Sequence, residues 1–289
     1  MPFPLKYLSP SQLRAYGACP LQYRYRYVEK VRAPYTPASL MGDALHQTLE
    51  ANFAQKKSTR ADLALGDATT VFQDAWDRGV PGGGLTGEAS EAFAQAYADG
   101  LRLLAFYLAE VAPAIRPHLV EHRFSVSVPG VPVPVVGTVD LIDQSGTVVD
   151  HKTSRRPFDP QYLGTDMQLM CYAIAYGAFR QGARLQPGKL PNPYFVPDVR
   201  VDVLIPQEPP VLQRLVATYG QDELAGFAAR AHAIAAGIEA GDYTAFWRRA
   251  GTPREAAVCT RCPFAATCPE TLVAPDALHA NDQGGHDEE

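Results

Sequence analysis

The spacing of apolar positions changes period along the chain, and the change predicts its architecture. From Ser39 to Phe53, Leu45, Leu49 and Phe53 recur at i, i+4 and i+8, one face of an amphipathic helix with Ser39 as its cap. Two more helical stretches follow, about 61–79 and 88–112, separated by the glycine-rich PGGGLTG at 81–87, which reads as a flexible loop. The period then shortens to two. His118 to Val128 and Val131 to Ile142 are rich in Val and alternate, predicting paired strands with Pro129 and Gly130 at the first turn. Thr147 to Thr153 is a third short strand after the turn-like Asp143 to Ser145. Helical spacing returns over Gln161 to Phe179, Leu185 to Pro197 is a proline-laden loop, and VRVDVLI at 199–205 alternates as a further strand. Glu208 to Gly241 reads as helix. The order helix, meander, helix, strand, helix predicts a mixed α/β core with helical additions and no internal repeat.

Upstream, residues 9–31 mix Tyr, Arg and Cys, with a short helix opened by Ser9 or Ser11 and a second started by Pro20. A chain of 289 residues, 46% hydrophobic and 20% charged, has the composition of a globular protein rather than a disordered or fibrous one. Met1 to Leu13 lacks an apolar signal-like region, and no run of ~18 apolar residues occurs, so a cytoplasmic chain with no membrane contact is expected. Five cysteines in a reducing compartment point to metal or redox work rather than disulfides. The net charge of −5 argues against phosphate binding until it is located: Asp276, Asp282, Asp287, Glu288 and Glu289 account for all of it in an acidic, flexible tail at 271–289. The first 35 residues carry Lys6, Arg14, Arg24, Arg26, Lys30 and Arg32 against Glu29 alone. Local basic surface is what a phosphate backbone needs.

Candidate chemistry lies in the strands. Asp140 ends GTVD at 137–140, and VVDHK at 148–152 places Asp150 and Lys152 on one side of a strand with His151 on the other. Two carboxylates and an ammonium among valines suit hard Mg2+ or Mn2+, with coordination positions left for water and a phosphate oxygen. A lysine beside such water can orient it or help deprotonate it. His46, on the helix bearing Gly42, is a possible added ligand that would favour Mn2+. Read singly, each of these residues also fits an ordinary surface or core role.

Four motifs in order, Gly42-x3-His46, Gly137-x2-Asp140, Asp150-x-Lys152 and Gln168-x3-Tyr172, resemble the RecB-like branch of the PD-(D/E)XK nuclease superfamily over about residues 9–270. The resemblance implies that His46, Asp140 and Asp150 hold the metal, joined by the backbone carbonyl of His151, and that Lys152 is the catalytic lysine. It also implies that Gln168 and Tyr172 support the site and contact DNA.

Cys19, followed by Pro20, and Cys259-x2-Cys262-x5-Cys268 supply four soft thiolates, which by spacing alone suit zinc or an iron–sulfur cluster. The pattern is similar to the 4Fe–4S nucleases of AddB type and of CRISPR adaptation, which favours the cluster over zinc. Cys171 has no cysteine partner near it in sequence and reads as a small core residue. Arg248, Arg249, Arg254 and Arg261 flank the C-terminal cysteines, and with Tyr23, Tyr25, Tyr27 and Trp247 they would form a basic, aromatic rim suited to a single strand.

These readings combine into a PD-(D/E)XK-like nuclease domain at 1–270. It would have a helical insert at 54–115 and a cluster-binding cap from 1–35 and 245–270. Its expected activity is Mg2+- or Mn2+-dependent exonucleolytic cleavage of single-stranded DNA ends in repair or recombination. A CRISPR-adaptation nuclease and a non-catalytic iron–sulfur DNA-binding subunit remain alternatives. No G-x4-G-K-[ST] phosphate loop is present, so any helicase would be a separate partner.

Overall fold

The computed structural model describes residues 3–33, 35–80, 87–182, 186, 188–245, 259, 262–265 and 267–268. The chain divides into two compact units, one of Leu5–Pro10 and Tyr35–His232 and the other of Met1–Pro4, Ser11–Pro34 and Ala233–Glu289.

The larger unit is built on a sheet of five strands in the order β1 (Pro117–Val126), β2 (Val135–Asp143), β3 (Val148–Thr153), β4 (Val199–Ile205) and β5 (Val211–Ala217). The first three form an antiparallel meander, β4 joins β3 in parallel, and β5 returns antiparallel to β4. A parallel neighbour needs a crossover, and helix α6 (Met167–Gln181) supplies it between β3 and β4. Expected and observed strand bounds agree to within a few residues for β1 to β4. The expected helix over 208–241 is corrected: its first part is β5, and the helix, α7, runs only from Gln221 to Glu239. VLQRLVA at 211–217 shows why, since Leu212 and Val211 pair with Leu204 and Ile205 of β4 and make an edge strand that helical periodicity alone misreads.

Three helices, α3 (Pro37–Thr59), α4 (Leu65–Gly79) and α5 (Gly87–Phe106), bury one shared core with the sheet, including Leu45, Leu49, Phe53, Phe72 and Leu103 with Leu141, Val149 and Leu204. The N-cap of α3 is Thr36, not Ser39. The Thr36 hydroxyl accepts from the Ser39 amide at 3.1 Å while Ser39 Oγ accepts from the Thr36 amide at 2.9 Å, a reciprocal capping box. Residues 81–86 of the glycine-rich loop lie outside the described residues.

In the smaller unit, α1 (Pro10–Ala18) and α2 (Pro20–Tyr23) present Leu13, Tyr16 and Tyr23 to a small core. The Tyr16 hydroxyl donates to the Asp242 carbonyl at 2.6 Å, and the Tyr23 ring stacks on Tyr243 with centroids 6.2 Å apart. Tyr23, 1% exposed, is therefore core and not a stacking platform for bases.

Candidate metal centre

Backbone periodicity and two glycines assemble the site in the larger unit. At Gly42 a Cβ would sit 3.2 Å from Thr153 Oγ1, so its absence lets α3 approach the end of β3 and bring His46, one turn on, over the sheet. At Gly137 a Cβ would meet the Phe124 ring at 2.7 Å, so glycine here leaves room for the ring that backs Tyr172.

His46 Nδ1 lies 3.4 Å from Asp140 Oδ2. Burial would lower His46, but the hydrogen bond and charge of Asp140 outweigh it and hold the imidazole above its ordinary value. Asp140 shows the converse: burial pushes it up, and the His46 contact, aided by His151 and Lys152, brings it below the usual carboxylate range.

Asp150 has no exposed surface. Lys152 Nζ donates to its Oδ1 at 3.0 Å and lies 2.9 Å from Oδ2, but only the first contact has hydrogen-bond geometry, so the buried Oδ2 has no donor. Burial raises Asp150 and neighbouring Asp140 adds to the rise, while Lys152 only partly offsets it. An anionic oxygen withheld from water and from donors is costly unless something else neutralises it. A divalent cation does that, and a hard oxygen donor is what Mg2+ or Mn2+ takes. Among the described residues no three His, Cys, Asp or Glu side chains are grouped to hold an ion as they stand. Each carboxylate is instead held by its own base, Asp140 by His46 and Asp150 by Lys152.

Asp166 caps α6, accepting from the Gln168 amide at 2.8 Å and the Leu169 amide at 3.1 Å. That start of the helix sets Gln168 and Tyr172 on one face, where Gln168 Nε2 donates to the Tyr172 hydroxyl at 2.5 Å. Burial raises the Tyr172 phenol, and Asp140 and Asp150 raise it further, which places it within their field. The His151 ring is elsewhere. It stacks on Phe53 with centroids 6.0 Å apart and shares a 2.6 Å hydrogen bond with the Tyr107 hydroxyl, and burial lowers it to about 4. Only the backbone of His151 is left for a role at the metal.

Two residues escaped the sequence reading. Glu121, in β1, has φ +48, a left-handed conformation rare for a side chain of this size. Its carboxyl is pushed up to about 7 by partial burial and then by Asp140 and Glu50. Glu50 stands one helical turn from His46, and that i+4 spacing was the available signal. The turn at Glu121 also reverses which side β1 presents: Val120 packs with the α3 cluster, whereas His122 and Phe124 meet Phe179 and Tyr172 of α6.

In the smaller unit, Cys19 is the N-cap of α2, and Cys262 and Cys268 end two tight turns, their amides donating to the Cys259 carbonyl at 3.1 Å and the Phe264 carbonyl at 2.9 Å. Burial raises the Cys262 thiol, and the neighbouring Cys19 and Cys268 add to the rise. They are not among any closed group of metal-binding side chains within the described residues. Tyr25 is engaged with this loop, its ring 5.6 Å from Phe264 and its hydroxyl bonded to Cys268. Trp247, Arg248, Arg249, Arg254, Arg261 and the acidic tail lie outside the described residues. Cys171 is fully buried and its thiol is raised by that burial.

Among known proteins, no curated sequence matches the chain. The crystal structure of a candidate exonuclease from Eubacterium rectale superimposes with a TM-score of 0.53 at 11% identity, covering 83% of this chain and 84% of that one, and shows the same fold. A second solved structure, SSO0001, has 15% identity over 91% of this chain and 96% of its own, but its TM-score of 0.35 is too low to bear on the fold. No helix of the described residues is long and apolar enough to cross a membrane. The sequence pattern of the PD-(D/E)XK nuclease superfamily matches residues 7–269, and with the meander, the crossover helix and the carboxylate–lysine strand in place, the chain belongs to that superfamily.

Proposed function

We propose that the protein is a divalent-metal-dependent deoxyribonuclease acting as an exonuclease on single-stranded DNA ends in repair or recombination. The observation that carries this reading is Asp150, buried, half-paired by Lys152 and left with an unsatisfied oxygen in a nuclease fold. Asp140, Asp150 and His46, with the His151 carbonyl, would hold Mg2+ or Mn2+. Bound there, the metal acidifies water and neutralises charge developing on the phosphoryl group. Lys152 donates one N–H to Asp150 Oδ1, and another proton of the same ammonium would orient the attacking water. Tyr172, its hydroxyl held by Gln168 and its phenol raised by the charges of Asp140 and Asp150, would support the carboxylates from α6.

The single-strand preference is supported by Phe179, 57% exposed on α6 about 10 Å along the helix from Tyr172 and backed by His122, which offers a face for a base to stack on. Cys19, Cys259, Cys262 and Cys268 would hold a 4Fe–4S cluster of structural role, a reading supported by their spacing and by Cys19 and Cys268 lying close enough to raise the Cys262 thiol. Loss of iron, of visible absorbance and of melting temperature in Cys19→Ala is the expected result, and full retention of all three removes the cluster.

The central test digests 5′- and 3′-labelled single and double strands with Mg2+ or Mn2+, using wild type and Asp150→Ala. Loss of cleavage in the variant supports the site. Equal cleavage by both proteins overturns it, and tight binding without cleavage by wild type would mean a non-catalytic DNA-binding subunit.

A further inference from the structure

A cavity of about 410 Å³ opens where the last turn of α3 meets the start of β1, lined by Lys56, Lys57, Arg60, Arg116, Pro117 and Gln144. Lys56 is 5% exposed and held in place, its ammonium donating to Asp62 at 2.7 Å and to the Ala112 carbonyl at 2.6 Å. Lys57, Arg60 and Arg116 are exposed and have no acidic partner among the described residues. Four cations against Asp62 leave three formal positive charges around one concavity. The C-terminal dipole of α3 opposes this with only about half a charge. Helix-end stabilisation does not explain Arg116, which comes from a different element and faces the same space.

The cavity also has a defined position relative to the metal centre. Lys57 is eleven residues after His46 on α3, three turns on and within about 20° of the same face, which sets it about 16 Å along the axis. Arg116, just ahead of β1, precedes Glu121 by five residues, again about 17 Å along extended chain. Two elements that leave the same site thus reach the same cavity at the same distance. The charge of Lys57 reaches β1, where His122 is lowered by burial and then by Lys57 and His118.

We infer that this cavity is a second phosphate site, which grips a backbone phosphodiester of the strand being cut about five stacked nucleotides from the reacting one. Arginine forks match phosphate oxygens, and lysines add point charge without base discrimination, so the grip is independent of sequence. The inference rests on the nuclease reading. It adds that substrate length, and not only the end, sets affinity.

The test measures binding of fluorescent single-stranded oligodeoxynucleotides in EDTA, comparing wild type with Lys57→Gln/Arg60→Gln/Arg116→Gln. Wild type is expected to gain at least tenfold in affinity between about four and about ten nucleotides, because only the longer strand spans both sites. The triple variant is expected to lose that gain, bind both lengths alike and show a salt slope smaller by about 0.7, from the one phosphate it no longer neutralises. Unchanged circular dichroism and melting temperature exclude misfolding. A folded variant with wild-type affinity and slope overturns the inference, as does a wild type with no length dependence. A short strand made to bind like the long one by a terminal phosphate also overturns it, since the contact would then be to an end. These are binding readouts, so they fail separately from the nuclease reading, which falls only if wild type cleaves no DNA.

Discussion

Two aspartates with no exposed surface sit on adjacent strands and meet opposite fates. Asp202, on β4, is fully answered: Arg200 Nη2 donates to Oδ2 at 3.2 Å and Arg214 Nε to Oδ1 at 3.1 Å. Asp150, on β3, has one ammonium for two oxygens, and its Oδ2 has no hydrogen-bond donor. The parallel register pairs Asp150 with Val201 and His151 with Asp202, so the two carboxylates belong to successive rungs of one ladder. A buried carboxylate with a donor at each oxygen is structural, whereas one with an oxygen left open marks a place for something else to bind. The neighbours obey the same division, since His151 is neutral among aromatics while His46 is held toward its charged form by Asp140.

The largest expected effect breaks the comparison on the open side. Asp150→Asn should lower DNA cleavage by about a thousandfold or more while leaving the melting temperature nearly unchanged, as steady-state digestion and calorimetry would show. Asp202→Ala should do the reverse. Leaving Arg214 without its partner and Arg200 with only the longer Asp143 contact should cost about 3 kcal/mol, toward the low end because Arg214 is 46% exposed, with the activity of the folded fraction intact. A variant of Asp202 that melts like wild type would remove the division.

Acid sharpens the same contrast on His151. Its folded value of about 4 lies below the unfolded 6.5, so between those values the unfolded chain takes up a proton that the folded one refuses. Stability is therefore complete above pH 6.5 and falls as the pH drops toward 4, by about 2 kcal/mol between pH 7 and pH 5. Chemical denaturation at the two pH values should show this loss in wild type and not in His151→Asn. The smallest effect concerns Glu121. Glu121→Gly relieves a left-handed side-chain residue and should stabilise the fold by about 0.5–1 kcal/mol, read as a rise of a few degrees in melting temperature.

The strands and their chemistry were legible because both are local. VVDHK sorts Asp150 and Lys152 from His151 by alternation alone, and α3, α5 and α6 follow from apolar spacing within each segment. β5 was not legible, because its Leu and Val residues fit either period and only pairing with β4 decides. Glu121 was hidden for a related reason. Its place opposite Asp140 depends on a strand register and on a left-handed turn that no spacing announces. The cation cavity joins Lys57 and Arg60 to Arg116 across more than fifty residues, and nothing in the sequence between them links the two.

By itself the sequence determined the carboxylate–lysine strand, the helical face carrying His46, and the order of elements that places them in a PD-(D/E)XK nuclease. Those features survive because period and residue type are properties of single segments. Only the tertiary structure decided which buried carboxylate is satisfied, that of Asp202, and which keeps an open oxygen, that of Asp150. Burial and partners are sums over segments far apart in the chain. Two aspartates that look alike in sequence therefore differ in the fold by where the arginines fall.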